Sequence, residues 1–431
     1  MKRTYWSLAH KLKERLRMPA AALAEKRRDR AGAPLTDPGP ERVLDEVIEW
    51  LCRAQDNSSS CDDGVARHYS LIDGWASSYP ETTGYIIPTF IAYAAWRDRC
   101  DLLDRARRML DWLVRIQLPS GGFQGGKIDS RPVVPVTFNT GQTLLGLAAG
   151  EVQFGAYGEP MRRAADWLVD TQDDDGCWRR YPSPFAGSGE KAYETHVAWG
   201  LFEAARLDSG RGYAEAALAN IRWMLGLQKE NGWLESCCLN DPLRPLTHTI
   251  GYALRGVVEA YRSTGDPIFL TAARSTADGV LSALRSDGFL PGRLRADWSP
   301  AAPWVCLTGS VQIAHCWLML AEYTHEAKYA EAAARANRFV RRTVRLEGPP
   351  EVRGAVKGSF PIDGDYGRYQ YLNWAAKFLA DSLMLEMKVL GAADASRRFS
   401  GQNASGTPAG AHVSTFQDPT RAKGLAEGAA R

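Results

Sequence analysis

The sequence predicts an all-α fold, an (α/α)6 toroid of six helical hairpins. Three observations predict it. A Trp–Gln pair five residues apart recurs as Trp50/Gln55, Trp112/Gln117, Trp167/Gln172 and Trp223/Gln228, with 62, 55 and 56 residues between the tryptophans. Turns containing glycine follow the last three glutamines, and after each turn a second apolar helix begins in register. Self-similarity at such a period means one supersecondary unit repeated and stacked.

Taken in order, Met1–Pro19 carries Lys and Arg but no apolar core of a secretory signal. A basic amphipathic helix with Tyr5, Trp6, Leu8, Leu12 and Leu16 fits it, either as a solvated arm or as a peripheral contact with an anionic membrane face. The outer helices come next, with apolar periodicity over stretches such as Met161–Gln172 and Tyr213–Gln228. Gln117–Phe123, Gln172–Trp178 and Gln228–Trp233 then reverse the chain, because Gly, Asp, Asn and Ser tolerate positive φ or bond their own backbone.

The second helices open at Thr82, Asn139, Glu194, His248, Gly309 and Asn373, in steps of 57, 55, 54, 61 and 64 residues. Ser, Thr or Asn near each start suits an N-cap. Their bodies, such as Val197–Ala205 and Ile250–Ala260, are rich in Ala, Gly, Leu and Val, as helices crowded round an axis require. Beyond about Ala393 the sequence becomes Ser/Gly/Ala/Thr-rich, which reads as a disordered tail. The expected organisation is a basic arm over 1–40, the toroid over 41–392 and the tail over 393–431.

Composition narrows the function. A net charge of +3 implies no general affinity for nucleic acid, and no apolar run is long enough to span a bilayer. Eight cysteines without a signal peptide fit a reduced, cytoplasmic chain. Parallel inner helices place all six N-termini at one end of the ring, where free N–H groups and positive dipole ends favour anionic or hydroxyl-rich ligands. The side chains gathered there are Glu81, Tyr85, Asn139, Gln142, Tyr193, Glu194, His196, His248, Tyr252, Gln312 and Asn373. Any one can be a cap or a satisfied core group, but caps do not require His, Glu and Tyr together. No cofactor is expected. The remaining option is zinc, held by some of Cys237, Cys238, His248, Asp297 and Cys306, whose spacing matches no known local signature.

The Q-x-x-x-G-x-W/F turns at Gln117–Phe123 and Gln172–Trp178 resemble the repeat motif of terpenoid cyclases and protein prenyltransferases. The inner-helix layout is similar to the toroids of glycoside hydrolases, polysaccharide lyases and glucuronyl C5-epimerases. Glu81–Phe90, Pro245–Arg255 and Tyr366–Ala380 look like segments of proteins encoded in bacterial exopolysaccharide clusters. The first resemblance implies Asp-x-Asp-Asp or Asp-Asp-x-x-Asp on the cavity rim. The chain has neither in a suitable place, since Asp173-Asp174-Asp175 lies in a turn.

A carbohydrate partner, with an acidic glycan among the options, suits the rim better. Asn139, Gln142, Gln312 and Asn373 offer amides for hydroxyls. Trp75, Trp178, Trp233, Trp298 and Trp304 offer faces for C–H surfaces. Lys127, Arg131, Arg179, Arg180 and Arg293 lie on loops before inner helices. Two mechanisms compete. Glu81 and Glu194 would form the carboxyl pair of an inverting hydrolase. Tyr193 or Tyr252 with His196 or His248 would abstract and return a proton at C5 of a uronate, with an amide or arginine neutralising the sugar carboxylate. A terpenoid cyclase-like or prenyltransferase-like enzyme and a non-catalytic glycan-binding toroid are the alternatives.

Overall fold

A computed structural model describes residues 18–402, where the repeat resolves into alternating outer and inner helices. The outer helices are Pro40–Asp56, Cys100–Ile116, Gly158–Asp170, Tyr213–Leu225, Pro267–Ser282 and Ala327–Arg341. The inner helices are Pro80–Arg97, Thr137–Phe154, His196–Leu207, Thr247–Thr264, Leu307–Thr324 and Asn373–Gln402. Tyr5, Trp6, Leu8, Leu12 and Leu16, and all residues past 402, lie outside the described residues. The chain divides into a unit ending at Val389, which holds the hairpins, and another from Leu390 onward. Among the described residues no helix is long and apolar enough to cross a membrane.

Outer helices bury one stripe. Pro40–Asp56 turns Val43, Leu44, Val47, Ile48, Trp50 and Leu51 inward and leaves acidic residues outside. Inner helices are buried almost all round, and glycines let them touch. A Cβ at Gly84 would stand 2.5 Å from Thr143 Cα, and one at Gly146 would stand 2.3 Å from the Gly84 carbonyl.

The repeated glutamines join neighbouring repeats. Gln117 Nε2 donates to Gly121 O in its own turn (2.9 Å) and to Pro160 O on the next outer helix (3.0 Å). Gln172 does the same with Gly176 and Ala216, both at 2.9 Å. Gln228 reaches Ala272 O (2.9 Å) and Thr276 Oγ1 (2.8 Å). Gln55 bonds Asp63 O and Arg105 O. Each turn therefore sits on the backbone of the following outer helix.

The ring closes by similar contacts. Trp50 Nε1 donates to Glu351 O (2.8 Å), and Gly354 packs on the Glu46 carbonyl. Asn373 Nδ2 donates to Ala66 O (2.9 Å) and Thr82 Oγ1 (2.7 Å). A small antiparallel sheet pairs His68–Ser70 with both Gly74–Trp75 and Gln370–Leu372, tying the first repeat to the sixth. A second pairs Val305–Cys306 with Ser359–Phe360.

Two expectations change. The expected Ser/Thr/Asn caps do not form, and the first five inner helices have no side-chain cap bond. Their threonines instead tie the incoming strand to the helix. Thr83 Oγ1 accepts from Val65 N, Thr140 Oγ1 accepts from Phe123 N, and Thr249 Oγ1 donates to Cys237 O. A loop crossing the helix start offers these hydroxyls a closer partner than the first-turn amides. In addition, part of the segment read as an arm, Ala20–Arg30, is a helix. Its Glu25 (2.6 Å) and Asp29 hold Lys357, all three at most 3% exposed, and Asp29 also accepts from Ile362 N (2.8 Å). Lys26 and Arg30 pair with Asp363.

Two substitutions test this packing. Gly232 has φ +79°, and a Cβ there would meet the Ser275 carbonyl at 2.3 Å, so Gly232→Ala should cost more than about 1 kcal/mol in denaturant unfolding. Lys357→Ala removes the buried cation shared by Glu25 and Asp29, leaving Asp29 only the Ile362 amide while Glu25 keeps Arg28 and Arg345, and should cost about 3 kcal/mol in the same assay.

Candidate functional site

The parallel inner helices bring their N-termini to one end of the ring, and a cavity of about 260 Å³ opens there. Five of the six repeats supply its wall. Tyr79 and Glu81 come from the first inner helix start, Phe138 from the second, Tyr193 from the third, His248 and Tyr252 from the fourth, and Trp374 from the sixth. Arg67 reaches in from just before the sheet, Gln370 from the sheet itself, and Asp365 and Tyr366 from the loop before it. The fifth helix acts from behind through Gln312.

Glu81 is buried, and burial pushes its carboxyl up to about 7; the Tyr79 phenol and the Arg67 guanidinium pull the other way. His248 moves oppositely, down to about 4, because burial disfavours its charged form, while its bond to Gln312 opposes the shift. Its Nδ1 lies 2.7 Å from Gln312 Oε1. An amide oxygen can only accept, so Nδ1 carries the proton and Nε2 keeps the lone pair. Glu81 and His248 stand on the first and fourth of six inner helices, on opposite sides of the ring.

Tyr252 forms the floor. Its ring lies 4.4 Å from His248, 4.6 Å from His196 and 4.8 Å from Phe138. Burial holds its phenol, and those of Tyr79, Tyr85 and Tyr193, well above the usual range, so all stay protonated donors. The hydroxyls of Tyr85 and Tyr193 have no hydrogen-bond partner among the described residues. Arg67 is held in an aromatic frame, 4.9 Å from the Trp374 ring and 5.5 Å from those of Tyr79 and Phe185. Among the described residues it makes no ion pair with a carboxylate.

Of the residues expected from sequence to do chemistry, Glu81, Tyr193, His248 and Tyr252 line one cavity. Glu194 and His196 do not. Glu194 is 3% exposed, with burial raising it to about 8 against the opposing charge of Lys191. Its side chain is not part of the cavity wall, so it does not face Glu81 there as a hydrolytic pair. His196 lies beneath Tyr252, its Nδ1 2.7 Å from Gln142 Oε1.

Of the expected sugar-binding groups, Gln142 and Gln312 orient histidines, while Asn373 closes the ring. Asn139 donates to Gln124 O and Tyr85 lies against Phe378. The expected tryptophan platforms pack instead. Trp75 lies against Trp50, Trp233 against Trp298, and Trp178 donates to Leu168 O. Trp304 lines a neighbouring depression. Arg131 is exposed and bonds its own loop carbonyls, and Arg179 pairs with Asp173, Asp175 and Glu190. Among the described residues no group of His, Cys, Asp and Glu is placed to hold a metal. Cys237 bonds Thr249 O and Asp297 lies in an exposed turn, apart from His248.

Sequence patterns do not single out Arg67, Tyr79, Phe138 or Trp374. Phe138 and Trp374 adjoin the register positions Asn139 and Asn373, and Tyr79 stands two residues before Glu81. Nothing local marks Arg67, whose place depends on the sheet between the first and sixth repeats.

Comparison with known proteins agrees with this architecture. The model of the squalene-hopene cyclase C-terminal domain family matches residues 64–256. No curated protein matches the chain by sequence. Among solved structures, an unsaturated glucuronyl hydrolase specific for heparin superposes with TM-score 0.66 at 15% identity, covering 83% of this chain and 99% of that one. A sugar epimerase from a ruminal bacterium gives 0.67 at 12% identity, covering 81% and 97%. An α-mannanase of Bacteroides thetaiotaomicron gives 0.57 at 13% identity, covering 85% and 98%. The chain is thus an α/α toroid, of a fold shared with glycan-acting enzymes.

Glu194 allows a check on burial without catalysis. Its folded pKa is raised, so the wild type loses stability as pH climbs from its unfolded value, near 4.5, through about 8. Glu194→Gln should melt higher than wild type at pH 9, and the gap should shrink towards pH 4.

Proposed function

We propose that the chain is a sugar epimerase, moving a proton at a ring carbon next to a carboxylate or carbonyl. The observation that carries this reading is the pair Glu81 and His248. They line one cavity from opposite sides of the ring, and burial drives their pKa values apart in opposite senses. Between about pH 4 and about pH 7, Glu81 is protonated and His248 neutral, so an acid faces a base.

In one direction His248 Nε2 takes the carbon-bound proton from one face of the sugar. The electron pair moves onto the adjoining carbonyl or carboxylate oxygen, where Arg67 neutralises it. The Glu81 carboxyl then delivers its proton to the opposite face. The Tyr252 and Tyr193 phenols, fixed as donors, suit sugar hydroxyls. Epimerising neighbours on this fold support the reading. Hydrolysis by two carboxyl groups is less favoured, since the other carboxyl lining the cavity, Asp365, has an 82% exposed side chain. Glu81 could serve as the protonated member, but a side chain this exposed is poorly fixed to hold the attacking water in line on the opposite face of the sugar. The association with bacterial polysaccharide production belongs to this proposal too, and rests on the sequence resemblance alone.

A terpenoid cyclase-like reading is favoured by the family match and by the aromatic wall of Phe138, Tyr252 and Trp374. In it Glu81 would protonate an alkene. Against it, Arg67 places a cation where a carbocation would form, and the Asp173–Asp175 turn lies outside the cavity, paired with Arg179.

Incubation in deuterated water decides between these. Neutral and uronate oligosaccharides should gain carbon-bound deuterium without a change in chain length, read by mass spectrometry and NMR. Addition of water across a linkage would make the chain a hydrolase, and deuterated cyclic products from linear polyprenes a cyclase. Glu81→Gln should slow epimerisation about 100- to 10,000-fold, while carbon-bound exchange through His248 alone persists. The kcat/KM profile should rise through about pH 4 as His248 loses its proton and fall through about pH 7 as Glu81 ionises.

A further inference from the structure

A second depression, of about 430 Å³, opens beside the cavity on the same end of the ring. Asp241 and Arg244 reach it from the loop before the fourth inner helix, Arg293 and Trp304 from the loop before the fifth, and Asp365 from the loop before the sixth. Asp365 lines both hollows. The wall between them is a single apolar cluster, in which Leu239 and Tyr366 face the cavity and Trp304 and Ala302 the depression. One wall and one shared carboxylate make the two hollows neighbours along a continuous path.

Two walls of the second hollow, Trp304 and Arg293, are held in place. Trp304 is 9% exposed, and a Cβ on Gly292 would come within 2.3 Å of its ring. Arg293 Nη1 donates to Arg244 O at 2.8 Å, which holds the guanidinium in place. Its Nη2 stands 3.7 Å from Asp365 Oδ2. That gap is too long for a hydrogen bond. A hydroxyl bridging the two from the open side of the depression, about 2.8 Å from each, would accept from Arg293 and donate to Asp365.

The charges also indicate what kind of ring fits. Arg244 Nη2 pairs with Asp241 Oδ2 at 2.9 Å, and Arg293 faces Asp365. Each cation has a carboxylate beside it, so the hollow offers donors next to acceptors rather than net positive charge. This pattern recognises a vicinal diol better than an anion. Arg67, by contrast, makes no ion pair with a carboxylate among the described residues and lies in the first cavity.

We propose that this depression is a second sugar subsite. It rests on the reading of the first cavity as a sugar site. The substrate is then a glycan of at least two residues, with the reacting ring between Glu81 and His248. The adjoining ring is uncharged and lies in the depression against Arg293 and Asp365, so the glycan leaves across the fourth-to-sixth sector of the toroid.

The test is titration calorimetry on full-length Glu81→Gln protein, in which epimerisation is slowed. The probes are cello-, manno- and glucurono-oligosaccharides of one, two and three residues. Di- and trisaccharides of one series should bind more tightly than the monosaccharide. Adding Arg293→Gln or, separately, Asp365→Asn should reduce that length preference about fivefold or more, with thermal melting confirming that each variant folds. Equal affinity at every length, or a preference that survives both substitutions, would overturn the subsite. Deuterium exchange by the wild type judges the chemistry separately. Exchange without length preference removes the subsite and keeps the epimerase. Length preference without exchange keeps the subsite and removes the epimerase. Neither result would remove both.

Discussion

The structure depends on one contact repeated around the ring. A turn leaves an outer helix, and its glycine lies flat against a backbone carbonyl of the next outer helix. Gly121 meets Arg163, Gly176 meets Ala219, Gly232 meets Ser275, Gly288 meets Arg335 and Gly354 meets Glu46. The last of these joins the sixth repeat to the first. In the repeats that carry it, a glutamine locks the same turn to the same neighbour. Because the turn fixes where the next hairpin starts, this contact sets the rotation from repeat to repeat. Small errors would accumulate over six steps and leave the ring open. The glycine persists in the fifth and sixth repeats, where the Trp–Gln pair is lost, whereas in the first repeat the glutamine remains and the carbonyl it holds in the turn is that of Asp63, at φ +75°.

Closure and the cavity are linked through the loops. The sheet that joins His68–Ser70 to Gln370–Leu372 closes the ring at the end where the cavity lies, and Arg67 and Gln370 belong to it or adjoin it. The neighbouring loop is held from outside by Ala20–Arg30, whose Asp29 bonds both Lys357 and the Ile362 amide. Tyr366 lies a few residues further on and donates its amide to Ser359 Oγ. The cavity wall is thereby fixed by groups outside the hairpin repeat.

Burial does the electrostatic work in the cavity. One environment moves Glu81 up and His248 down because it disfavours charge of either sign. The acid and the base then arise from burial, with the hydrogen bonds of Gln312 to His248 and of Tyr79 to Glu81 opposing the shifts. The paired amides, Gln312 for His248 and Gln142 for His196, set the tautomers. The same pairing at two levels shows that a His–Gln contact alone does not mark a reacting group. His248 lines the cavity, whereas His196 lies under Tyr252.

The sequence by itself determined the repeat, the number of hairpins, the end of the ring where polar groups gather and four residues of the cavity wall, Glu81, Tyr193, His248 and Tyr252. All of these come from local patterns, since a helix start, a turn and a register position each depend on residues close along the chain. Only the tertiary structure decided which polar groups face the cavity and which support it. Glu194 and His196 are two residues apart at the third helix start, where a short 3-10 turn precedes the α-helix and directs Tyr193, rather than either of them, to the cavity wall. Arg67 reaches the cavity because residues some three hundred positions apart pair across the ring closure. Such pairings leave no periodic trace, because each is made once, between segments whose distance along the chain says nothing about their distance in space.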